Sequence, residues 1–312
     1  LKNTAKSKIA KAFKSPSEAW AGLVLRLCQK PFISDETAIK AEFRAYMGHT
    51  LDLNNPKSFN EKLQWLKLHD RNPLYTTLVD KLAVKEWVSS KIGAQYVVPT
   101  LAIWKDVDEI DLNVLPEQFV MKANHYSGYV AICRDKETFD FSYAKKRLAA
   151  MMKKNLFYYA REWPYKDVKP LVFAEEYLEP DETGSTADYK VFCFSGEPKM
   201  IQLHKGRYSN HTQDTFDPQW NHLDIRQPGY PLTDVTPAAP KQLEEMLRLS
   251  RILSAGIPHV RVDWYINRDQ LKLGEMTFFD ASGLCPFEKY EDDLMIGSWI
   301  DLNRAYSANG RP

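Results

Sequence analysis

Four residues towards the C-terminal end of the chain carry the strongest chemical signal. Arg261, Asp263, Glu275 and Thr277 lie on two apolar runs separated by the turn-forming sequence Asn267-Arg268-Asp269-Gln270. Strand side chains alternate with a period of two, so 261 and 263 share a face, as do 275 and 277. If the runs pair about that turn, the two acidic residues can converge. Two carboxylates and a hydroxyl are hard oxygen donors, the set that suits magnesium together with substrate phosphates. A cross-strand set of surface charges has the same spacing, and spacing alone leaves both readings open.

Two lysines extend the pattern. Lys122 ends the apolar run FVMK and Lys190 lies inside DYKVF. A lone strand lysine usually faces solvent; two beside a metal pair could neutralise a triphosphate. After Lys122 comes ANHYSGYVAI, where Ser127-Gly128 could fold over phosphates through backbone N–H groups. In FAEEYLEP, Glu175, Glu176, Tyr177 and Leu178 end a strand with acidic residues and then a leucine. That pattern fits a crossover between lobes where main-chain groups meet adenine, and it equally fits a solvated strand end.

The elements that must position these groups are legible in outline. Ser34 and Gly48 bracket one expected helix, and Ser58 with Glu61 forms a capping-box pattern before a second. PLYTTLVDKLAVKEWVSSKIG reads as a third helix ending at Gly93. QYVVPTLAIW, QFVMKANH and YVAICRD read as short strands, and residues 140–162 as one long helix. LVFAEEYL is a further strand. DYKVFCFSGEPKMIQLHKG and HVRVDWYINRDQLKLGEMTFF read as hairpins with turns at SGEP and INRDQ. Five prolines mark 208–240 as a long irregular loop, and PKQLEEMLRLSRILSAGI is an amphipathic helix.

The 312 residues, 44% apolar and 27% charged, describe an ordinary globular chain rather than a disordered one. Lysine plus arginine is 42 and aspartate plus glutamate 41, so no global basic character points to nucleic acid. The four cysteines form no C-x-x-C pair and read as free thiols in a reducing compartment, the cytoplasm. No apolar run approaches the ~20 residues of a membrane span. Residues 1–30 are lysine-rich, with Lys6, Lys8, Lys11 and Lys14 interleaved with apolar groups such as Phe13, Trp20 and Leu23. The main expectation is a helix packed on the body; the second is peripheral contact with an anionic membrane surface.

The order of these pieces resembles the ATP-grasp superfamily of carboxylate–amine ligases, from about residue 78 to 301. Within it, NPKSFNEKLQWLKLHDRNPLYTTLVDKLAVKEWV, LPEQFVMKANHYSG, DYKVFCFSGEPKMIQ and RVDWYINRDQLKLGEMTFFDASG resemble the TupA-like branch, linked to teichuronopeptide and capsular polysaccharide synthesis. The resemblance implies an α/β (α+β) class fold in which two α+β lobes clasp ATP. It divides the chain into a helical N-terminal region (1–77), a first lobe (78–174) and a second lobe with the metal-binding strands (175–312). It implies ATP and Mg2+ as cofactors. Lys81 and Lys122 would hold the nucleotide, Glu176 and Leu178 would meet adenine through backbone with Glu175 beside them, and Asp188 would hold ribose or close the lobes. Lys190 would contact the transferring phosphate, Asp263 and Glu275 would hold the metal with Thr277 as a weaker ligand, and Arg261 would sit near the reacting phosphate. Asp280 stands where the branch pattern has proline.

A carboxylate accepts an amine only after activation, and the implied chemistry is phosphorylation to an acyl phosphate followed by amide formation. The implied partners are a uronic-acid-containing glycan and a small amine or amino acid, with no nucleic acid. His125, His204, Lys205 and Arg207 are the candidate substrate contacts. A glycosyltransferase or a kinase of the same pathway is the alternative; the chain has no D-x-D motif and no aspartate in an H-R-D context.

Overall fold

The computed structural model describes residues 22, 24–180, 186–207 and 209–306. Most of the basic segment expected to form a helix over 1–30 lies outside them. Helix α1 (Asp35–Met47) starts where the Ser34 side chain accepts from Thr37 N and stops at Gly48, whose φ of 79° is left-handed. Helix α2 (Phe59–His69) carries the capping box of Ser58 and Glu61. Both boundaries follow from local chemistry: the first N–H groups of a helix have no internal acceptor, and serine supplies one.

The expected third helix is two. α3 (Leu74–Val79) and α4 (Ala83–Ile92) are separated by Asp80-Lys81-Leu82. Asp80 Oδ1 accepts from Leu82 N at 2.9 Å, and Lys81 N reaches Asn124 O at 3.2 Å. Side-chain and tertiary hydrogen bonds thus replace the helical ladder there, which helix periodicity cannot reveal. The helix expected over 140–162 is likewise divided, into α5 (Phe141–Met152) and α6 (Phe157–Ala160). Asn155 intervenes, its Oδ1 accepting from Phe157 N and its Nδ2 donating to Lys166 O.

Strands β1 (Thr100–Trp104), β2 (Phe119–Ala123), β3 (Ala131–Cys133) and β4 (Val172–Glu176) form an antiparallel sheet in the order β1-β4-β2-β3. QYVV, expected to begin the first strand, instead forms a single 3-10 turn over Ala94–Tyr96 and an isolated bridge from Val97 to Leu273. Met121, Cys133, Leu148 of α5, Val172 and Ala174 are buried together in this sheet's own core.

The larger sheet contains β5 (Asp188–Phe194), β6 (Glu197–Lys205), β7 (Thr212–Phe216), β8 (His222–Leu223), β9 (His259–Asn267) and β10 (Gln270–Thr277), in the order β10-β9-β5-β6-β7-β8. Both expected hairpins form. Their two-residue turns have positive φ at both centres, 52° and 90° at Ser195-Gly196 and 47° and 61° at Arg268-Asp269. Such turns match the twist of paired strands. The stretch 208–240 is not wholly irregular. β7 pairs with β6 over Thr212–Phe216, and its prolines lie beyond the strand, where no ladder N–H is lost.

One face of this sheet packs on α7 (Leu243–Ser254), which buries Met246, Leu249 and Leu253 against Val191, Ile201 and Val262. Phe59, Leu63, Tyr75, Val84 and Val88 from α2, α3 and α4 join the same core, as does Ile296 of α8 (Tyr290–Ser298). The opposite face of the sheet is polar at its centre. Among the described residues, no helix is long and apolar enough to cross a membrane.

Candidate active site

Strand register sets the site. Glu275 lies opposite Asp263, Asp263 opposite Lys190, Lys190 opposite Gln202, and Gln202 opposite Thr215. Directly opposed residues share a face, so five adjacent strands present one polar row. A second row runs Tyr265, Asp188, His204, Gln213. A third places Thr277 opposite Arg261.

The acidic pair depends on an irregularity. Counting back from the turn, Trp264 pairs with Leu273, yet Asp263 pairs with Glu275. Gly274 is the extra residue. Without that bulge Glu275 would fall on the apolar face, because a one-residue slip reverses every later side chain. Glycine suits the position, since a Cβ there would come within 2.8 Å of Tyr265 Cε2.

Charge is dense here. Arg261 holds Asp263 through Nε at 2.6 Å and Nη2 at 2.7 Å, and touches Thr277 Oγ1 at 3.2 Å and Glu275 Oε1 at 3.4 Å. Its Nη1 pairs with Asp280. Lys190 Nζ is 2.7 Å from Asp263 Oδ2. Burial would raise the Asp263 pKa, but Arg261 and then Lys190 outweigh it and hold the carboxyl well below the usual carboxylate range. Glu275 is likewise depressed: Lys81, 3.8 Å away, and Arg261 outweigh burial and the neighbouring Asp263.

The residues fit a magnesium ion. Glu275 is the open member of the pair, its side chain 37% exposed against 3% for Asp263. Its carboxylate contacts are long, at 3.3, 3.4 and 3.8 Å, which leaves acceptor capacity. Among the described residues no three histidine, cysteine, aspartate or glutamate side chains gather as a metal cluster. Two protein carboxylates completed by phosphate oxygens and water are the usual magnesium arrangement.

A cleft of about 120 Å³ lies between the two sheets. Val120, Ile132, Tyr177 and Leu178 line it with apolar surface, and Lys122, Asp188, Arg207 and Tyr265 with polar groups. On the small-sheet side Glu175 is buried and bonded by both Lys122 and Lys85, the latter at 2.8 Å. Burial opposes its charge, but those lysines prevail and lower its pKa. Glu176 lines the same cleft, its amide bonded to Pro99 O at 3.1 Å.

Lys122, Glu175, Glu176, Leu178, Asp188 and Arg207 line this cleft, and Lys81 lines an adjoining pocket with Lys122 and Glu175. The cluster of Lys190, Arg261, Asp263, Glu275 and Thr277 is linked to them by the contacts of Lys81 with Glu275 at 3.8 Å and of Lys190 with Asp188 at 4.0 Å. His204 is buried on the same face, its Nδ1 3.0 Å from His211 Nε2. Four residues expected as contacts are placed away from the cleft lining. His125 is buried, with its ring nitrogens 3.3 Å from Asn124 Oδ1 and 3.1 Å from Lys154 O, so none is left for substrate. Lys205 follows His204 on β6, and strand alternation turns it to the opposite face. Ser127 and Gly128 are exposed and outside the residues lining the cleft.

Sequence reading missed Lys85, Gln202, Gln213 and the pairing of Asp280 with Arg261. Lys85 lies one helical turn after Lys81, and Gln202 two strand positions before His204, so periodicity could have flagged both.

Two antiparallel sheets clasping a cleft, with lysines from both and an acidic pair on the larger, define the ATP-grasp fold. The family described as TupA-like ATPgrasp matches residues 61–301, well over half the chain. The chain belongs to the TupA-like ATP-grasp family. No curated protein matches it in sequence. Among solved structures it is similar to D-alanine–D-alanine ligase from Helicobacter pylori, at 12% identity over 79% of this chain and 70% of that one, with a TM-score of 0.41. The Bacillus anthracis D-alanine–D-alanine ligase gives 15% identity, 74% and 70% coverage and a TM-score of 0.42. N5-carboxyaminoimidazole synthase from Aspergillus clavatus gives 12% identity, 67% and 46% coverage and a TM-score of 0.38.

Proposed function

We propose that the chain is an ATP-dependent, ADP-forming ligase that joins a carboxylate to an amine through an acyl phosphate. The observation that carries this reading is the row Glu275-Asp263-Lys190, met at Glu275 by Lys81 at 3.8 Å, with Lys81 and Lys122 lining one pocket beside it. A substrate carboxylate oxygen attacks the γ-phosphorus, and the bond to the β-phosphate oxygen breaks to release ADP. The amine nitrogen then attacks the acyl carbon, the carbon–oxygen bond to phosphate breaks, and the amine loses a proton. Lys190 and Arg261 offset the charge that develops on the transferring phosphoryl group, and Lys81 and Lys122 hold the triphosphate. Magnesium, held by Asp263 and Glu275 with Thr277 beside them, supplies charge neutralisation of the phosphates.

The branch resemblance supports a uronic acid of a capsular polysaccharide or its precursor as the carboxylate, and an amino acid or other small amine as the acceptor. We place the reaction in the cytoplasm, with the basic segment 1–30 available for peripheral contact at the inner membrane face. The test is incubation with MgATP, a uronate and an amine panel while ADP, free phosphate and product mass are followed. Stoichiometric ADP, free phosphate and an amide product are expected. Phosphate retained on the substrate would make the protein a kinase, and no ATP-dependent product would sink the proposal.

A further inference from the structure

Three lysines and one carboxylate share the pocket beside the cleft: Lys81, Lys85, Lys122 and Glu175. The part played by Lys85 follows from its contacts. It stands on α4, and an ammonium has three N–H donors. All three are used: Nζ donates to Val98 O at 2.9 Å, to Thr100 Oγ1 at 3.0 Å and to Glu175 Oε2 at 2.8 Å. Lys122 is in the opposite condition. Among the described residues it makes one hydrogen bond, to Glu175 Oε1. Its remaining donors are open to a ligand, and Lys122 lines both the pocket and the cleft.

Strand register builds this arrangement. Counting from Trp104 opposite Val172, regular pairing would bring Leu101 opposite Glu175; an irregularity between Thr100 and Ala102 brings Thr100 there instead. Lys85 thereby gains a hydroxyl acceptor beside the carboxylate. On the other flank of β4, Glu175 lies opposite Val120, which shares a face of β2 with Lys122 two positions on. Glu175 thus carries one lysine on each oxygen. Burial opposes its charge, and Lys122 and then Lys85 sustain it. With Lys85 removed, the buried Oε2 loses its donor. It then either turns to Lys122 and takes a second donor of that lysine, or takes up a proton and loosens the hold of Oε1. Both outcomes change what Lys122 presents to a ligand, although Lys85 itself has no donor left to offer one.

We infer that Lys85 is a positioning residue for nucleotide binding: it fixes Glu175 so that one oxygen alone holds Lys122, which leaves the other donors of Lys122 to the phosphates. This rests on the reading above that Lys122 holds the triphosphate.

The test is equilibrium binding of MgATP and of adenosine, which lacks the phosphates. Lys85→Met keeps most of the side chain and removes its charge. It should weaken MgATP about ten-fold or more and leave adenosine within about two-fold of wild type. Equal weakening of both ligands would show a general distortion of the cleft and overturn the assignment. In a Lys122→Ala background, Lys85→Met should change MgATP affinity less than about two-fold, because its effect runs through Lys122. Losses that multiply would make Lys85 a direct phosphate contact and overturn the positioning role. Thr100→Val removes one acceptor that holds Lys85 and should weaken MgATP alone by about three-fold; it serves if Lys85→Met does not fold. Steady-state ADP release with a uronate and an amine is measured alongside, and in Lys85→Met the KM for ATP should rise with kcat within about three-fold. The expected binding losses in a protein that shows no turnover overturn the ligase reading and leave the role of Lys85. Wild-type turnover with MgATP affinity unchanged in Lys85→Met overturns the role of Lys85 and leaves the ligase reading.

Discussion

At the residue scale, the two acidic residues of the hairpin differ in what their charge supports. Asp263 is buried and neutralises both Arg261 and Lys190. Asp263→Asn should abolish ADP formation and also lower stability by about 3–5 kcal/mol, since it strands buried positive charge. Glu275 is the half-buried member, with only long contacts. Glu275→Gln should abolish ADP formation with little change in thermal midpoint. Activity assays paired with thermal melts check both, and wild-type turnover in either variant would end the metal assignment. A shared, large loss of stability would instead mean that Glu275 is part of the same structural ion network.

At the element scale, the bulge in β10 and the break between α3 and α4 decide what the cleft contains. Gly274→Ala drives a Cβ to within 2.8 Å of the Tyr265 ring, and Tyr265 lines the cleft. The KM for ATP should rise several-fold, with kcat less affected; an unchanged KM would show that the ring moves aside freely. The contact between α1 and α2 carries a pH dependence. Burial pushes the Glu42 carboxyl up to about 7, against Lys67 and Arg161 and with Glu162, and its Oε2 has no partner among the described residues. The folded pKa exceeds the ordinary 4.5, so this group's stabilising contribution is full below about pH 4.5 and is lost as pH rises through about 7. Glu42→Gln should therefore raise the thermal midpoint more at pH 8 than at pH 5. Equal shifts at the two pH values would contradict the protonation argument.

At the scale of the whole molecule, both sheets line the cleft. Lys122 comes from the small sheet and Lys190 from the large one. A nucleotide that bridges them stabilises the folded chain by about 2.7 kcal/mol at a hundred times its Kd. MgATP should raise the thermal midpoint. Lys122→Ala should reduce that rise and increase the KM for ATP, whereas Lys190→Ala should mainly depress kcat if, as proposed, it meets the transferring group. Unchanged kinetics in both would make them ordinary strand lysines.

Much of the fold was written locally. The caps of Ser34 and Ser58, the left-handed stop at Gly48 and the two-residue hairpin turns depend on neighbours within four positions, so the sequence alone determines them. The alternation that puts Arg261 with Asp263, and Glu275 with Thr277, on one face of a strand is also local. What faces what across strands is not. Regular pairing from the turn at Arg268-Asp269 would have placed Glu275 opposite Val262, and only the bulge at Gly274, read from three-dimensional register, turns it to Asp263. Tertiary packing decided the pairing of Asp280 with Arg261 and the burial of Gln202 and Gln213, and with the local bond from Leu82 N to Asp80 it set the helix break that presents Lys81. Each depends on partners distant in the chain, such as Asn124 for Lys81 and Gln227 for Asp280. A hydrogen bond or ion pair between residues far apart in sequence leaves no periodic trace in either segment; it exists only once the chain has closed on itself.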